Sequence, residues 1–294
     1  MILTGLRILF ITDKLYKGLY FDLSKINEGL AQPEKIDEFR QFYTSNFSEN
    51  YLLYEVMNYC LKNRYLHFTG YEIESMGVEG APDYYIRNGK HVILIENKDV
   101  LIKAEVKEKP LFEEIESELK KKFFEKQHGR GVGIKQIIKN IERTLSFKNT
   151  FDTNYKPANV VIYPILVVHD IVFDAPGLNT LFNTWFFDEL NLLKQKGLLV
   201  DNVKPLIVLN IDTLIRVSHL LRTGQLTLIE MFEMFYKKLK ISKTKFKDER
   251  EMENVITNRY LPSTKVIENW LNDNYPSFLK ENKIMEFAFN KMKN

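Results

Sequence analysis

Two hydrophobic rhythms divide this chain. Leu52, Leu53, Val56, Met57, Cys60 and Leu61 recur at helical spacing and predict a helix over Ser48–Asn63, with Ser48 as N-cap and Glu49 in its first turn. Before it, the first 45 residues read as short strands (Arg7–Ile11 and Gly18–Phe21) followed by a helix after Pro33. Beyond it come strand-like Tyr65–Glu74, a loop punctuated by Gly77 and Gly80, and two β-rich runs joined by Asn88-Gly89. That dipeptide between two such runs is a strong short-range hairpin signal.

A charged helical segment (Pro110–Lys126), a turn at Gly129, Gly131 and Gly133, and a helix from Ile134 to Phe147 follow. Val160–Val168 and Leu206–Asn210 read as buried strands, with Trp185–Lys196 helical between them. From Asp212 onward the pattern is mostly helical, including Leu226–Leu239 and Val266–Asn272. Strands interleaved with helices indicate an α/β fold with the apolar strands central. The expected organisation is an N-terminal segment (1–45), a core (46–211) and a helical C-terminal extension (212–294).

Composition narrows the class. The chain has 294 residues, 45% hydrophobic and 28% charged, which excludes wholesale disorder and collagen-like structure. Cys60 is the single cysteine, so internal disulfides and multi-thiolate zinc sites are excluded. Its helical, apolar setting makes it a core residue. The longest apolar stretch, Val160–Phe173, is too short to span a bilayer. No cleavage-site pattern follows the start MILTGLRILFITDK, so the expected protein is cytoplasmic, without a membrane.

Net charge is +3 from 42 basic and 39 acidic residues, unevenly placed. Residues 119–148 carry nine Lys/Arg against Glu125 and Glu142, and 237–250 carry seven against Asp248 and Glu249. Either run suits a polyanion, or a solvated helix face. Lys122, Arg130, Lys135 and Lys139 are the candidates for nucleic-acid contact.

The hairpin carries the candidate chemistry. With Asn88 and Gly89 as a two-residue loop, Arg87 pairs with Lys90, Tyr85 with Val92 and Asp83 with Leu94. Side-chain alternation then puts Asp83, Glu96 and Lys98 on one face. Asp83 and Glu96 become diagonal neighbours, with Cβ atoms roughly 7–8 Å apart. Two carboxylates so placed can share a hard divalent cation, and Lys98 flanks them. Such a site suits phosphodiester hydrolysis, with the ammonium orienting water or balancing charge on phosphorus.

Pro82-Asp83 and, thirteen residues after the aspartate, Glu96-Asn97-Lys98 resemble the PD-(D/E)xK nuclease superfamily of restriction, repair and anti-phage enzymes. The resemblance covers about residues 48–168. It implies a restriction-endonuclease-like core: a central mixed β-sheet flanked by helices on both faces. It implies Mg²⁺ (or Mn²⁺) held by Asp83 and Glu96, with the backbone carbonyl of Asn97 and, on the preceding helix, Glu55. It further implies Lys98 as catalytic lysine and Gln136, beside Lys135 on the following helix, as a residue that positions substrate or water. The pattern departs at Asn97, where members mostly carry an apolar or small residue.

The expected function is therefore a Mg²⁺-dependent endonuclease acting on DNA, with RNA left open, in restriction, anti-phage defence or repair. A catalytically silent nucleic-acid-binding or assembly subunit of a larger nuclease or transposase complex is the alternative. A homodimer or a partner protein suits either. Two weaker signals carry less. His169-Asp170 lacks the histidine cluster of a His-Asp phosphohydrolase, and the glycines at 129–133 lack the Lys-Ser/Thr of a P-loop.

Overall fold

The computed structural model describes residues 16–108, 111–126, 129, 131–239, 248–250, 253, 257 and 259–275. The strand expected at Arg7–Ile11, Pro110, Arg130 and most of the second basic run lie outside them. The chain divides into two compact units, Met1–Asn58 and Tyr59–Asn294.

Among the described residues the first unit is helical. α1 spans Tyr16–Glu28, so Gly18–Phe21 is not a strand. Tyr20, Leu23 and Asn27 recur at helical steps, which two-residue alternation over four residues cannot outweigh. The Tyr20 ring packs against Phe39 and Tyr43 with Arg40 over its face, and Asn27 exchanges two hydrogen bonds with the Ile36 backbone.

The helix expected after Pro33 is α2 (Phe39–Tyr43). It continues through a π-helical stretch, Thr44–Leu53, into α3 (Tyr54–Leu61). Ser48 is therefore buried inside a helical run and does not begin one. Phe39, Tyr43, Phe47 and Tyr51, in ring contact at four-residue steps, carry helical packing back through the position read as a start.

The second unit holds a five-stranded mixed sheet in the order β1-β2-β3-β4-β5. β1 (Leu66–Thr69) leads into α4 (Gly70–Ser75), ending the strand expected to reach Glu74. The cause is a capping box. The Thr69 hydroxyl accepts the Glu72 N–H, and the Glu72 carboxylate accepts the Thr69 N–H at 2.8 Å. β2 (Tyr84–Asn88) pairs antiparallel with β1 and with β3 (His91–Lys98).

Helices α5 (Ala104–Glu108), α6 (Phe112–Phe123) and α7 (Ile134–Leu145) follow. β4 (Val161–Val168) then runs parallel to β3, α8 spans Leu178–Gln195, and β5 (Ile207–Asn210) runs parallel to β4. α9 (Ile211–Thr223), α10 (Leu228–Leu239) and α11 (Ser263–Asn274) complete the described helices. This is an α/β fold with a helical C-terminal part.

Both faces of the sheet are covered. On one, Tyr85, Val92, Leu94, Leu166 and Val168 share a buried cluster with Ile134, Ile137, Ile138 and Ile141 of α7 and Phe182 and Phe186 of α8. On the other, the Tyr163 ring meets Phe232 and Tyr236 of α10, and its hydroxyl donates to Glu233 at 2.9 Å. Trp185 packs on Phe182. Cys60 is fully buried, and burial pushes its thiol up to about 12. Among the described residues no helix is long and apolar enough to cross a membrane.

Candidate active site

The hairpin forms in a different register from the expected one. Asn88 pairs with His91 and Arg87 with Val92, so the two-residue loop is Gly89-Lys90. Gly89 takes φ +58° while Asn88 and Lys90 keep negative φ, which suits a turn with glycine first. The shift is two residues along the pair, so every side chain keeps its face.

Its effect on the acids is large. The ladder ends at Tyr84↔Ile95; one further step in the same register would set Asp83 opposite Glu96, a pairing in which Cβ atoms ordinarily stand about 4.5–5.5 Å apart. Asp83 is tied down from two sides. Its carbonyl accepts the Gly70 N–H at 2.8 Å, and its Oδ2 accepts the Asn97 N–H at 2.6 Å. A Cβ at Gly70 would lie 3.1 Å from Pro82 O and 3.2 Å from Asp83 Cα, so glycine allows this approach.

Glu96 is 1% exposed and accepts from Lys98 Nζ at 2.6 Å. Burial pushes the Asp83 carboxyl above the usual carboxylate range. Lys98 and the Asn97 N–H pull it back in part, and Glu74 pushes the same way as burial. A cation would favour the charged form of both acids. The two carboxylates are hard oxygen donors of the kind Mg²⁺ takes, one or two at a time, with water completing its shell. Among the described residues no group of three or more His, Cys, Asp or Glu side chains is placed to hold a metal. The residues fit a cation held by two carboxylates.

No protein-family model matches the chain, and no curated protein matches it. One solved structure that aligns with it is the small subunit (R.BspD6I2) of the heterodimeric restriction endonuclease R.BspD6I. The match covers 90% of this chain and 97% of that chain, at 12% identity and a TM-score of 0.28. A likeness of that size carries no argument, and the site rests on its own geometry.

The remaining candidates fall in different places. Glu55 lies on α3 within the first unit, and Asp83, Glu96 and Lys98 belong to the second. Gln136 sits in the first turn of α7, where its Oε1 accepts the Gly133 N–H at 2.7 Å. Its oxygen therefore caps the helix. Lys135 ion-pairs with Glu125, lies 3.8 Å from Glu189 and stands over the Phe124 ring. Lys122 lies 3.7 Å from Glu118, whereas Lys139 is exposed on α7 with its ammonium beside Gly80.

Asn97 alternates to the opposite face from Glu96, and its Oδ1 accepts from His169 Nε2 at 2.8 Å. His169 and Glu74 are the neighbours that sequence reasoning missed. His169 is 72 positions away from Asn97, and only the parallel β3–β4 pairing brings the two together.

Proposed function

We propose that this chain is a metal-dependent nuclease that hydrolyses DNA phosphodiester bonds, with Asp83 and Glu96 holding Mg²⁺ or Mn²⁺. The observation that carries this reading is the Asp83 carboxylate held at 2.6 Å on the Asn97 N–H, between Glu96 and Lys98, with Lys98 2.6 Å from Glu96. A divalent cation bound there would polarise a phosphoryl oxygen and acidify a bound water.

The chain's own groups divide the remaining work. The Asn97 N–H fixes one Asp83 oxygen, so the carboxylate is oriented before any ligand arrives. Lys98 favours the charged form of Asp83 against the burial that opposes it. An ammonium has three donors, so beyond Glu96 it can reach a water or a non-bridging phosphate oxygen. The carbonyl of Asn97 is a third oxygen donor in this reading. Lys139, exposed on α7, is the leading phosphate contact, with Lys122 behind it. Lys135 counts for less because Glu125 draws on its charge. The basic run 119–148 supports DNA as substrate, in restriction, anti-phage defence or repair, and cutting both strands with one site per chain favours a homodimer.

The test is cleavage of plasmid and oligonucleotide DNA with Mg²⁺, Mn²⁺ or EDTA, comparing wild type with Asp83→Ala and Lys98→Ala. Metal-dependent cutting by wild type, lost in both folded variants, is expected. Silence of the wild type on double-stranded DNA, single-stranded DNA and RNA would overturn the reading.

One observation favours a second reading: the buried Glu96 carboxylate is ion-paired with Lys98 at 2.6 Å, an arrangement that also serves as a purely structural charge pair. The chain is then a catalytically silent nucleic-acid-binding or assembly subunit. Asp83→Ala would leave its salt-sensitive DNA affinity unchanged, and metal would be irrelevant.

A further inference from the structure

The ladder between β2 and β3 ends at Tyr84↔Ile95, so residues 96–98 of β3 lie beyond the last β2 pair. On their other side they pair with β4, up to Lys98↔Val168. The peptide that matters most here is that of Asn97, because its N–H holds the Asp83 carboxylate at 2.6 Å. A small rotation of the strand about its axis at this point would turn that N–H away. The same rotation would also re-aim Glu96 and Lys98, the residues on either side.

The Asn97 side chain resists such a rotation. It passes to the far face of the sheet, where its Oδ1 accepts from His169 Nε2 at 2.8 Å, with both side chains buried. The acceptor is a carbonyl oxygen, so the imidazole is held as the Nε2-protonated form. His169 follows immediately on β4, and the chain beyond it is fixed in turn. Asp170 Oδ1 accepts the Val172 N–H at 3.0 Å and opens the short 3₁₀ turn Ile171–Asp174. A continuous set of bonds therefore runs from the end of β4 through His169 and Asn97 to Asp83.

We propose that His169 is a positioning residue for the Asp83–Glu96–Lys98 site, acting through Asn97. Its activity arm rests on the nuclease reading, and its structural arm does not. Outer partners that orient metal-binding groups typically change activity by roughly 10–100-fold when removed. A buried asparagine that merely needed a hydrogen bond would show no such link to Asp83.

The experiment measures backbone amide exchange by NMR in the full chain, for wild type, His169→Leu and His169→Gln. Leucine keeps bulk but offers no donor, while glutamine offers a side-chain N–H. In His169→Leu the Asn97 amide should exchange at least about tenfold faster while Ile93 and Ile95 stay protected. His169→Gln should restore protection. With cleavable DNA and Mg²⁺, His169→Leu should lower kcat by roughly 10–100-fold at unchanged KM, and His169→Gln should recover most of it.

Unchanged exchange at Asn97 in folded His169→Leu would overturn the proposal, as would a rise shared equally by Ile93 and Ile95. Should the leucine variant not fold, Asn97→Ala decides, since it keeps the amide and removes the side-chain link to His169. Faster exchange of the position-97 amide there supports the proposal, and unchanged exchange in a folded protein overturns it. A wild type that cuts nothing removes the nuclease reading, and the exchange pattern still decides the role of His169.

Discussion

Asp83 Oδ2 accepts the backbone N–H of Asn97 at 2.6 Å, so the strand that carries Glu96 and Lys98 also holds the carboxylate facing them. Asn in place of Asp keeps an oxygen for that N–H and removes the charge. Asp83→Asn should therefore melt at or above the wild-type temperature, because burial disfavours the charged form, yet its cleavage should fall to background. Calorimetry beside a cleavage assay checks both halves. Full activity in a folded Asp83→Asn would remove the aspartate from the chemistry.

Lys98 touches a carboxylate that is only 1% exposed. Lys98→Ala should cost roughly 1–3 kcal/mol of stability and all metal-dependent cutting, while DNA affinity stays within about twofold. Denaturant unfolding and a binding isotherm in EDTA measure the two. A DNA affinity that fell as steeply as activity would make Lys98 a binding residue.

Two lysines one helical turn apart on α7 should behave differently. Lys135 is drawn into an ion pair with Glu125, whereas Lys139 is exposed beside Gly80. Lys139→Ala should weaken DNA binding across sequences and reduce the slope of log affinity against log salt by about one. Lys135→Ala should move that slope less. Equal effects would show that the Lys135 pair opens on binding.

Asp174 lies where α11 meets the 3₁₀ turn after β4, accepting from the Thr264 hydroxyl at 2.9 Å. Burial pushes its carboxyl up to about 6, with Thr264 and Arg216 pulling part of the way back. The folded chain thus keeps this proton where the unfolded chain has released it. The group's contribution to stability is whole below about pH 4 and is lost as pH rises through about 6. Asp174→Asn should flatten that slope and stabilise the protein at pH 7 by on the order of 1–3 kcal/mol. Melting curves from pH 4 to 8 test it, and an unchanged slope would contradict it.

Strand parity alone puts the three candidate site residues on one face. Asp83, Glu96 and Lys98 share a face under any even shift of the hairpin, so misplacing the loop at Asn88-Gly89 changed their separation but not their grouping. The long apolar runs behave likewise in part: Val161–Val168 and Ile207–Asn210 are both buried strands, but β5 lies at the edge of the sheet and not at its centre, because helices cover its apolar side chains there. Local chemistry was misread where a cap competed with a periodic pattern. Thr69 and Glu72 close a capping box that turns the chain into a helix, and the aromatic steps from Phe39 to Tyr51 carry a helix straight through Ser48. Pairings such as Asn97–His169 and Lys135–Glu189 join residues more than fifty positions apart. No local pattern encodes them, because sheet order and helix packing create the contact.

The proposed nuclease site needs Asp83 and Glu96 to share one divalent cation. Electron paramagnetic resonance of Mn²⁺ titrated into wild type, Asp83→Asn and Glu96→Gln measures this without reference to any substrate. One bound Mn²⁺ per chain in wild type, competed by Mg²⁺ and weakened at least about tenfold in each folded variant, is the predicted result. Binding of the same strength in all three proteins, or none in the wild type, would contradict it.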